Sequence, residues 1–163
     1  MEIQHAGRDD AALLAEIIQC AHTEVATRFE LTQANCPHHP SFCTESWVSR
    51  EMEKGREYFL LTQSKKPIGC VAMEVASDQE VYLERLSVLP EKRHLGAGTR
   101  LVAHIIGEAV NLGVESIGIG IISKHDTLKT WYEGLGFEEV GEKRFDHLPF
   151  TVSFMSRRVP VCM

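Results

Sequence analysis

The chain has 163 residues, a net charge of −6 at neutral pH, 44% hydrophobic residues and 25% charged residues. This length suits one domain built around a single core, and the composition is that of an ordinary globular protein in water. The acidic balance argues against nucleic acid as a partner, because phosphate contacts need clustered lysine and arginine, and it is compatible with a cationic substrate.

The first half of the chain predicts two helices and the first strands of a sheet. Apolar residues recur at helical spacing between Asp9 and Phe29, and Asp10 lies where a first helical turn favours negative charge. Two β-patterned runs flank a turn-like segment at 64–67, which predicts a hairpin. The predicted elements are a strand at 2–5, the helix at 9–29, an irregular loop at 31–44, a helix at 45–54 and strands at 57–63 and 68–75.

The second half of the chain alternates strands and helices. The β-α-β unit around Gly98 predicts a right-handed crossover between parallel strands, whereas the strands before it form an antiparallel meander. The run at 116–122 is nearly all apolar, as expected of a strand covered on both faces. The predicted elements are strands at 81–88, 116–122, 138–144 and 151–157, a helix between Gly98 and Gly113, and a helix at 126–134.

Nothing in the sequence predicts export or membrane insertion. The start, from Met1 to His5, lacks the basic and apolar pattern of a signal peptide, and no apolar run is long enough to span a bilayer. We therefore expect a cytoplasmic protein, a single domain over residues 1–163 and reduced thiols, with Cys162 inert. The five cysteines are Cys20, Cys36, Cys43, Cys70 and Cys162.

A glycine-containing turn at residues 93–98 (RHLGAG) carries the first functional signal. A tight turn that opens a helix leaves backbone N–H groups unpaired, and the helix dipole adds partial positive charge, so the spot favours phosphate. A packing role for the glycines is the alternative. The turn fits neither the P-loop pattern nor the dinucleotide fingerprint, since Leu101 stands where the third glycine belongs.

Three segments together resemble the GNAT superfamily of acetyl-CoA-dependent N-acyltransferases. Residues 86–90 (LSVLP) resemble the family's fourth strand, and residues 93–98 resemble its Arg/Gln-x-x-Gly-x-Gly/Ala pyrophosphate loop. Residues 131–137 (WYEGLGF) resemble its late tyrosine-containing helix, and the similarity extends over residues 68–155. The resemblance implies an α/β fold with a mixed, mostly antiparallel central sheet of six to seven strands, flanked by about four helices.

The resemblance also implies where acetyl-CoA binds. Backbone groups of Leu86, Ser87 and Val88 are expected to pair with the pantetheine arm like an added strand, and amides from His94 to Thr99 are expected to hold the pyrophosphate. His125 stands where the family often has a cofactor-binding asparagine; its imidazole can donate a similar hydrogen bond, or the residue simply starts a helix. The expected cofactor-binding residues are Leu86, Ser87, Val88, Arg93, His94, Leu95, Gly96, Ala97, Gly98, Thr99 and His125.

Two residues are the catalytic candidates. Tyr132 matches the tyrosine that the family commonly uses as general acid for the departing thiolate, a role that suits a phenol with a pKa near ~10. A merely buried aromatic residue is the alternative. Many members have a glutamate where this chain has Tyr82, but Glu84 shares that strand face, and residues 82–84 are similar to the fourth strand of spermidine/spermine acetyltransferases. Glu84 is therefore the candidate base; the alternatives are that it only binds substrate or pairs with Arg85.

The segment Cys36–Cys43 contains two cysteines and two histidines, which are suitable zinc ligands. Its spacing does not match a common zinc finger, and adjacent histidines rarely share a metal, so we predict no metal site. The resemblance places this loop on the acceptor side, where it is expected to select substrate as a lid through His38, His39 and Phe42. The alternatives are a purely structural loop and a metal-binding regulatory domain built on this segment.

These observations predict transfer of an acetyl group from acetyl-CoA to a primary amine by direct attack, because no cysteine lies beside the Tyr132 or Glu84 segments to carry the acetyl group. The acceptor is a small-molecule or peptide amine, which Glu84 also helps to bind, and neither nucleic acid nor a membrane is expected as a partner. Family members often use the loop at 145–150 for acceptor or dimer contacts, so a homodimer is one expectation and an ordinary turn the other. A non-catalytic acyl-CoA-binding sensor is the rival function.

Overall fold

The structure, a computed structural model, describes residues 1–161, so the expectation for Cys162 lies outside the described residues. Within that range the chain forms seven strands and four α-helices. The strands are β1 (Glu2–His5), β2 (Glu57–Gln63), β3 (Lys66–Val75), β4 (Glu80–Val88), β5 (Ser116–Ile122), β6 (Glu138–Arg144) and β7 (Thr151–Arg158). The helices are α1 (Ala11–Arg28), α2 (Glu45–Glu53), α3 (Ala97–Leu112) and α4 (Asp126–Gly134).

The strands join in one sheet in the order β1-β2-β3-β4-β5-β7-β6. The pairs β1–β2, β2–β3, β5–β7 and β6–β7 are antiparallel, and β4 pairs with β5 in parallel. The parallel pair follows from the β4-α3-β5 crossover, which needs a helix to return the chain to the same end of the sheet. The predicted mixed, mostly antiparallel sheet of six to seven strands with four helices is confirmed.

Two helix starts and the loop between α1 and α2 differ from the sequence prediction. A short 3-10 turn at Arg8–Asp10 precedes α1. Helix α3 begins at Ala97, so Gly98 lies in its first turn rather than ahead of it. The predicted loop between α1 and α2 contains a 3-10 turn at Pro40–Phe42, because the fixed φ of proline suits the first position of a helical turn.

The chain divides into two compact units, and the first comprises Met1–Glu74 and Leu83–Ile105. Its main core forms because the apolar side chains of α1, spaced three or four residues apart, pack with α2, β2 and β3. Helix α2 starts at Thr44, whose hydroxyl accepts a hydrogen bond from the Trp47 N–H at 3.3 Å. The buried residues of this core are Ala6, Ala11, Leu14, Ala15, Ile17, Ile18, Cys43, Val48, Tyr58, Leu60, Cys70 and Ala72.

The second unit comprises Val75–Tyr82 and the described residues from Ile106 onward. Strand β5 is paired along both edges, with the start of β4 and with β7. Consecutive residues of β5 are buried, so both of its faces are covered, which explains its apolar composition. Strand β6 ends the sheet, and every one of its residues is exposed. Across the described residues, no helix has both the length and the apolar character that a bilayer span requires. The expectation of a single domain stays a prediction.

Candidate active site

The turn before α3 leaves backbone amides available to an anion. His94 and Gly96 both adopt left-handed backbone conformations, with φ of +65° and +84°. The Arg100 N–H donates to the Gly96 carbonyl at 3.0 Å, which starts the hydrogen-bond ladder of α3. The N–H groups of Ala97–Thr99 therefore precede that ladder, at the positive end of the helix dipole, where they suit a diphosphate.

Arg93 joins this turn to α1 through its side chain. The guanidinium donates from Nη1 to Glu24 Oε2 at 2.8 Å and from Nη2 to the Ala21 carbonyl at 2.7 Å. Because α1 engages both nitrogens, the side chain of Arg93 holds the turn against α1. Leu95, at the tip of the turn, is 56% exposed.

The second half of β4 presents backbone groups on one of its edges. Parallel pairing with β5 covers Glu80–Tyr82 and, within the described residues, ends there. Further along, the Leu89 N–H donates to the Ile68 carbonyl of β3 at 2.9 Å. Backbone polar groups alternate between the two edges of a strand, so those of Leu86 and Val88 point away from β3. These are two of the three positions expected to pair with a pantetheine arm.

Glu84 lies in a half-buried cluster of charged side chains. Arg56 Nη2 contacts Glu84 Oε2 at 2.5 Å and Glu74 Oε2 at 3.2 Å. Burial raises the pKa of Glu84 to about 7, with Arg56 acting to lower it and Glu74 acting to raise it further. A carboxyl group with that pKa is suited to accept a proton near neutral pH.

Glu51 on α2 organises the two arginines of this cluster. Its Oε1 accepts from Arg56 Nη1 and from Arg85 Nη2, each at 2.8 Å, and its Oε2 accepts from the Tyr58 hydroxyl. Burial acts to raise the pKa of Glu51, but the contacts with Arg85, Tyr58 and Arg56 outweigh burial, so the pKa is lowered. The structure thus pairs Arg85 with Glu51, and Glu84 with Arg56, in place of the Glu84–Arg85 pair considered from the sequence. Sequence reasoning missed Glu51, Arg56, Tyr58 and Glu74.

Tyr132 lies near the end of α4, in the second unit, and is 4% exposed. Its ring packs edge-on against Trp131, with centroids 4.9 Å apart, and against Phe137, with centroids 5.3 Å apart. The Phe137 N–H donates to the Tyr132 carbonyl at 3.1 Å, so the Leu-Gly-Phe segment folds back over the tyrosine. Burial raises the pKa of Tyr132, and the phenol therefore keeps its proton through the neutral range.

His125 starts α4. Its Nδ1 accepts from the Leu128 N–H at 3.4 Å, which makes it the N-cap residue of the helix. This is the helix-start role considered from the sequence, and a cofactor contact of His125 stays a prediction.

In the loop at 145–150, the Lys143 ammonium lies over the Phe145 ring, 4.8 Å from the ring centroid.

The loop between α1 and α2 is held by His39, which is buried. Its Nδ1 accepts from the Ser41 N–H at 3.2 Å and lies 2.7 Å from the Ser41 hydroxyl. Burial lowers the pKa of His39 to about 4, so the ring is neutral. His38 is exposed, with its ring 6.0 Å from Trp47, and Phe42 is half-buried. Of the three residues of this loop that were expected to bind the acceptor, His38 and Phe42 are the ones with surface exposure, whereas His39 is buried.

The cysteines of this loop are core residues. Cys36 and Cys43 are 3% and 1% exposed, and burial raises the pKa of the Cys43 thiol to about 11. Among the described residues, no three histidine, cysteine, aspartate or glutamate side chains are grouped so that they could hold a metal ion.

A family model described as an acetyltransferase (GNAT) domain matches residues 20–152, which is well over half of the chain. The chain belongs to the GNAT acetyltransferase family. Its enzyme class is acyltransferase, as the sequence predicted.

Solved structures of GNAT enzymes share the fold of this chain. The ribosomal-protein-S18-alanine N-acetyltransferase from Escherichia coli is 21% identical, with a TM-score of 0.78 over 99% of this chain and 96% of its own. An aminoglycoside 6'-acetyltransferase type Ii is 18% identical, with a TM-score of 0.73 over 100% of both chains. An aminoglycoside 6'-N-acetyltransferase complexed with coenzyme A is 16% identical, with a TM-score of 0.71 over 100% of this chain and 99% of its own.

Coenzyme A, the group held in the last of these GNAT structures, contains a diphosphate and an extended arm with amide groups, besides its adenosine 3'-phosphate and thiol. This chain has features that fit the diphosphate and the arm. The ladder-free amides of Ala97–Thr99 suit the diphosphate. The outward backbone groups of Leu86 and Val88 suit the amides of the arm, as an added strand would.

Proposed function

We propose that this chain transfers the acetyl group of acetyl-CoA to a primary amine by direct attack. The observation that carries the proposal is the first turn of α3, whose N–H groups precede the hydrogen-bond ladder of the helix. This turn directly follows the left-handed residues His94 and Gly96. It supplies several N–H donors at the position where the family resemblance expects the diphosphate. Arg93 supports this role by holding the turn against α1.

Glu84 is the proposed general base. Its carboxylate accepts a proton from the ammonium group of the acceptor, directly or through one water molecule. The freed nitrogen lone pair attacks the thioester carbonyl carbon, so that a C–N bond forms. As the tetrahedral adduct collapses and its C–S bond breaks, the nitrogen loses its second proton to solvent. A backbone donor near Val88 stabilises the negative charge that develops on the carbonyl oxygen. Holding the amine and the thioester together lowers the activation free energy by about 7 kcal/mol or more.

Tyr132 is the proposed general acid. Its phenol donates a proton to the departing sulfur and regains one from solvent. The products are the N-acetylated amine and a free thiol, with one proton released overall from the starting ammonium. The phenol of Tyr132 is protonated at neutral pH and so has a proton to donate, while the pKa raised by burial makes it a weaker acid toward the thiolate than a free phenol.

The acceptor is proposed to be a small-molecule or peptide amine, with His38 and Phe42 of the loop between α1 and α2 contributing to its selection. The names of the similar structures include a ribosomal-protein alanine and aminoglycosides as acceptors of those enzymes. A cytoplasmic location is proposed as well, and it is supported by the free thiols of Cys20, Cys36, Cys43 and Cys70.

A panel of amines with acetyl-CoA tests the proposal. The panel contains small mono- and polyamines, aminoglycosides and peptides with free N-termini, and free thiol release is followed with a thiol reagent. We expect amine-dependent thiol release for at least one class, with a blank that lacks amine as the control. Binding of acetyl-CoA without thiol release on any amine would contradict an enzyme and favour the acyl-CoA sensor.

A further inference from the structure

Strand β4 is irregular at Arg85. This residue has a φ of +55°, a left-handed conformation that a non-glycine residue adopts inside a strand only when its surroundings hold it there. The irregularity lies immediately before Leu86 and Val88, whose outward backbone groups are proposed to receive the cofactor arm. Whatever holds Arg85 in this conformation therefore also sets the position of those groups.

The Ser87 side chain bonds back to the irregular residue. Its hydroxyl donates to the Arg85 carbonyl at 2.9 Å, and Ser87 is 1% exposed. This bond satisfies the carbonyl of the left-handed residue itself, where the regular ladder is interrupted. The loss of a buried hydroxyl of this kind leaves its partner unpaired.

His22 on α1 completes a chain of hydrogen bonds. Its Nε2 lies 3.1 Å from the Ser87 hydroxyl oxygen. The His22 ring also hydrogen-bonds the backbone of Leu86, so the imidazole links α1 to two consecutive residues of β4. Burial, followed by the charges of His39 and Arg85, lowers the pKa of His22 to about 3, so the ring stays neutral and keeps this arrangement at physiological pH.

The backbone of Ser87 is fixed from the other side by β3. A Cβ atom at Gly69 would lie 2.6 Å from the Ser87 carbonyl oxygen, so that the two strands come together this closely only because residue 69 is glycine. Ser87 is thus held by β3 through its backbone and by α1 through its side chain.

We propose that His22 and Ser87 are positioning residues for the cofactor strand: the chain His22–Ser87–Arg85 fixes the irregular turn of β4, so that the backbone of Leu86 and Val88 is preorganised for the cofactor arm. This inference rests on the proposed function. It assigns no contact with the reacting atoms to either side chain. Preorganisation improves affinity by removing the cost of ordering the strand when the arm binds.

The test uses the full chain and four variants. Ser87→Ala removes the central hydroxyl, His22→Leu removes the hydrogen-bonding ring, and His22→Gln keeps a side-chain amide that can hydrogen-bond Ser87. Ser77→Ala, at an exposed serine, is the matched control. The affinity for acetyl-CoA is measured by titration calorimetry, the Michaelis constants for acetyl-CoA and amine by initial rates, and hydrogen exchange over residues 84–90 by mass spectrometry.

We expect acetyl-CoA affinity to fall about tenfold in Ser87→Ala and about fivefold in His22→Leu, and to lie within about twofold of the wild type in His22→Gln and Ser77→Ala. Hydrogen exchange over 84–90 accelerates in the first two variants. A purely structural effect would instead lower the folded fraction, and with it kcat, while leaving the Michaelis constant for acetyl-CoA unchanged.

The outcomes separate this inference from the proposed function. A wild type that binds acetyl-CoA, with Ser87→Ala and His22→Leu binding it equally well, overturns the inference and leaves the function standing. A wild type that does not bind acetyl-CoA overturns the proposed function and the cofactor role together. If His22→Leu fails to fold, the comparison of Ser87→Ala with Ser77→Ala decides the outcome by the same affinity and exchange measurements.

Discussion

The proposed base and the proposed acid have opposite surroundings. Glu84 lies among charged groups, where burial, Arg56 and Glu74 act on its pKa in different directions and leave it at about 7. Tyr132 packs among aromatic rings, and burial is the cause that raises its pKa. The contrast teaches that neighbouring charges set the pKa of the base, so that substituting those neighbours changes it. The pKa of the acid is set by packing and is insensitive to the removal of a single charge.

The largest effect is expected for Tyr132→Phe. It removes the phenolic proton but keeps the ring, so kcat should fall by about 10²- to 10⁴-fold, the usual contribution of a general acid. The acetyl-CoA affinity and the thermal unfolding temperature should stay close to those of the wild type, because the aromatic packing is preserved. Unchanged turnover would refute the acid role.

Glu84→Gln should reduce kcat/KM by about 10- to 100-fold and change the pH profile. In the wild type the rate should rise with pH up to about 7 and then level off, because Glu84 accepts a proton only when it is ionised. The variant should lack this rise. Glu16→Gln, at an exposed position on α1, is the matched control. An identical pH profile in Glu84→Gln would rule out a base at this position.

Arg56→Gln should move the pH profile without abolishing activity. Arg56 stabilises the ionised form of Glu84, so its removal raises the pKa of Glu84 and shifts the acid side of the profile upward by about one pH unit. Glu51 keeps its bonds to Arg85 and Tyr58, which preserves the rest of the cluster. Arg50→Gln, at an exposed position, is the control and should leave the pH profile unchanged. An unchanged pH profile in Arg56→Gln would contradict an effect of Arg56 on the pKa of Glu84.

The smallest effect is expected for Phe137→Leu beside Tyr132. The substitution keeps an apolar side chain of similar size, so the free energy of unfolding should fall by only about 1 kcal/mol, measured by denaturant titration. The pH dependence of the rate should match that of the wild type. A shifted profile would show that packing around Tyr132 does tune the reaction.

The sequence predicted the features that depend on neighbouring residues. Apolar periodicity, glycine and proline located the helices and strands, and the turn at 93–98 was found because its glycines are local signals. The helical segment at 126–134 placed Tyr132 on a helix, the β-patterned run at 81–88 placed Glu84 on a strand, and the structure has both residues on those elements.

The remaining features could not be predicted because they join distant residues or lack a local signal. Arg85 and Glu51 are 34 positions apart, and His22 and Ser87 are 65 apart, so no spacing rule connects either pair. The left-handed conformations of Arg85 and His94 occur at residues that do not usually signal one. Tertiary packing imposes these conformations, and propensity does not reveal them.

The exposed outer strand β6 has a consequence for how the protein behaves at high concentration. An open strand edge is a template for pairing with another chain, which is a route to aggregation. Five of the seven residues of β6 are charged, and a register shift between Glu139 and Gly141 interrupts its pairing with β7 at Val140. Mutual repulsion and a bent edge therefore protect the sheet from adding further strands, so replacing these charges with valine or isoleucine would favour fibril formation.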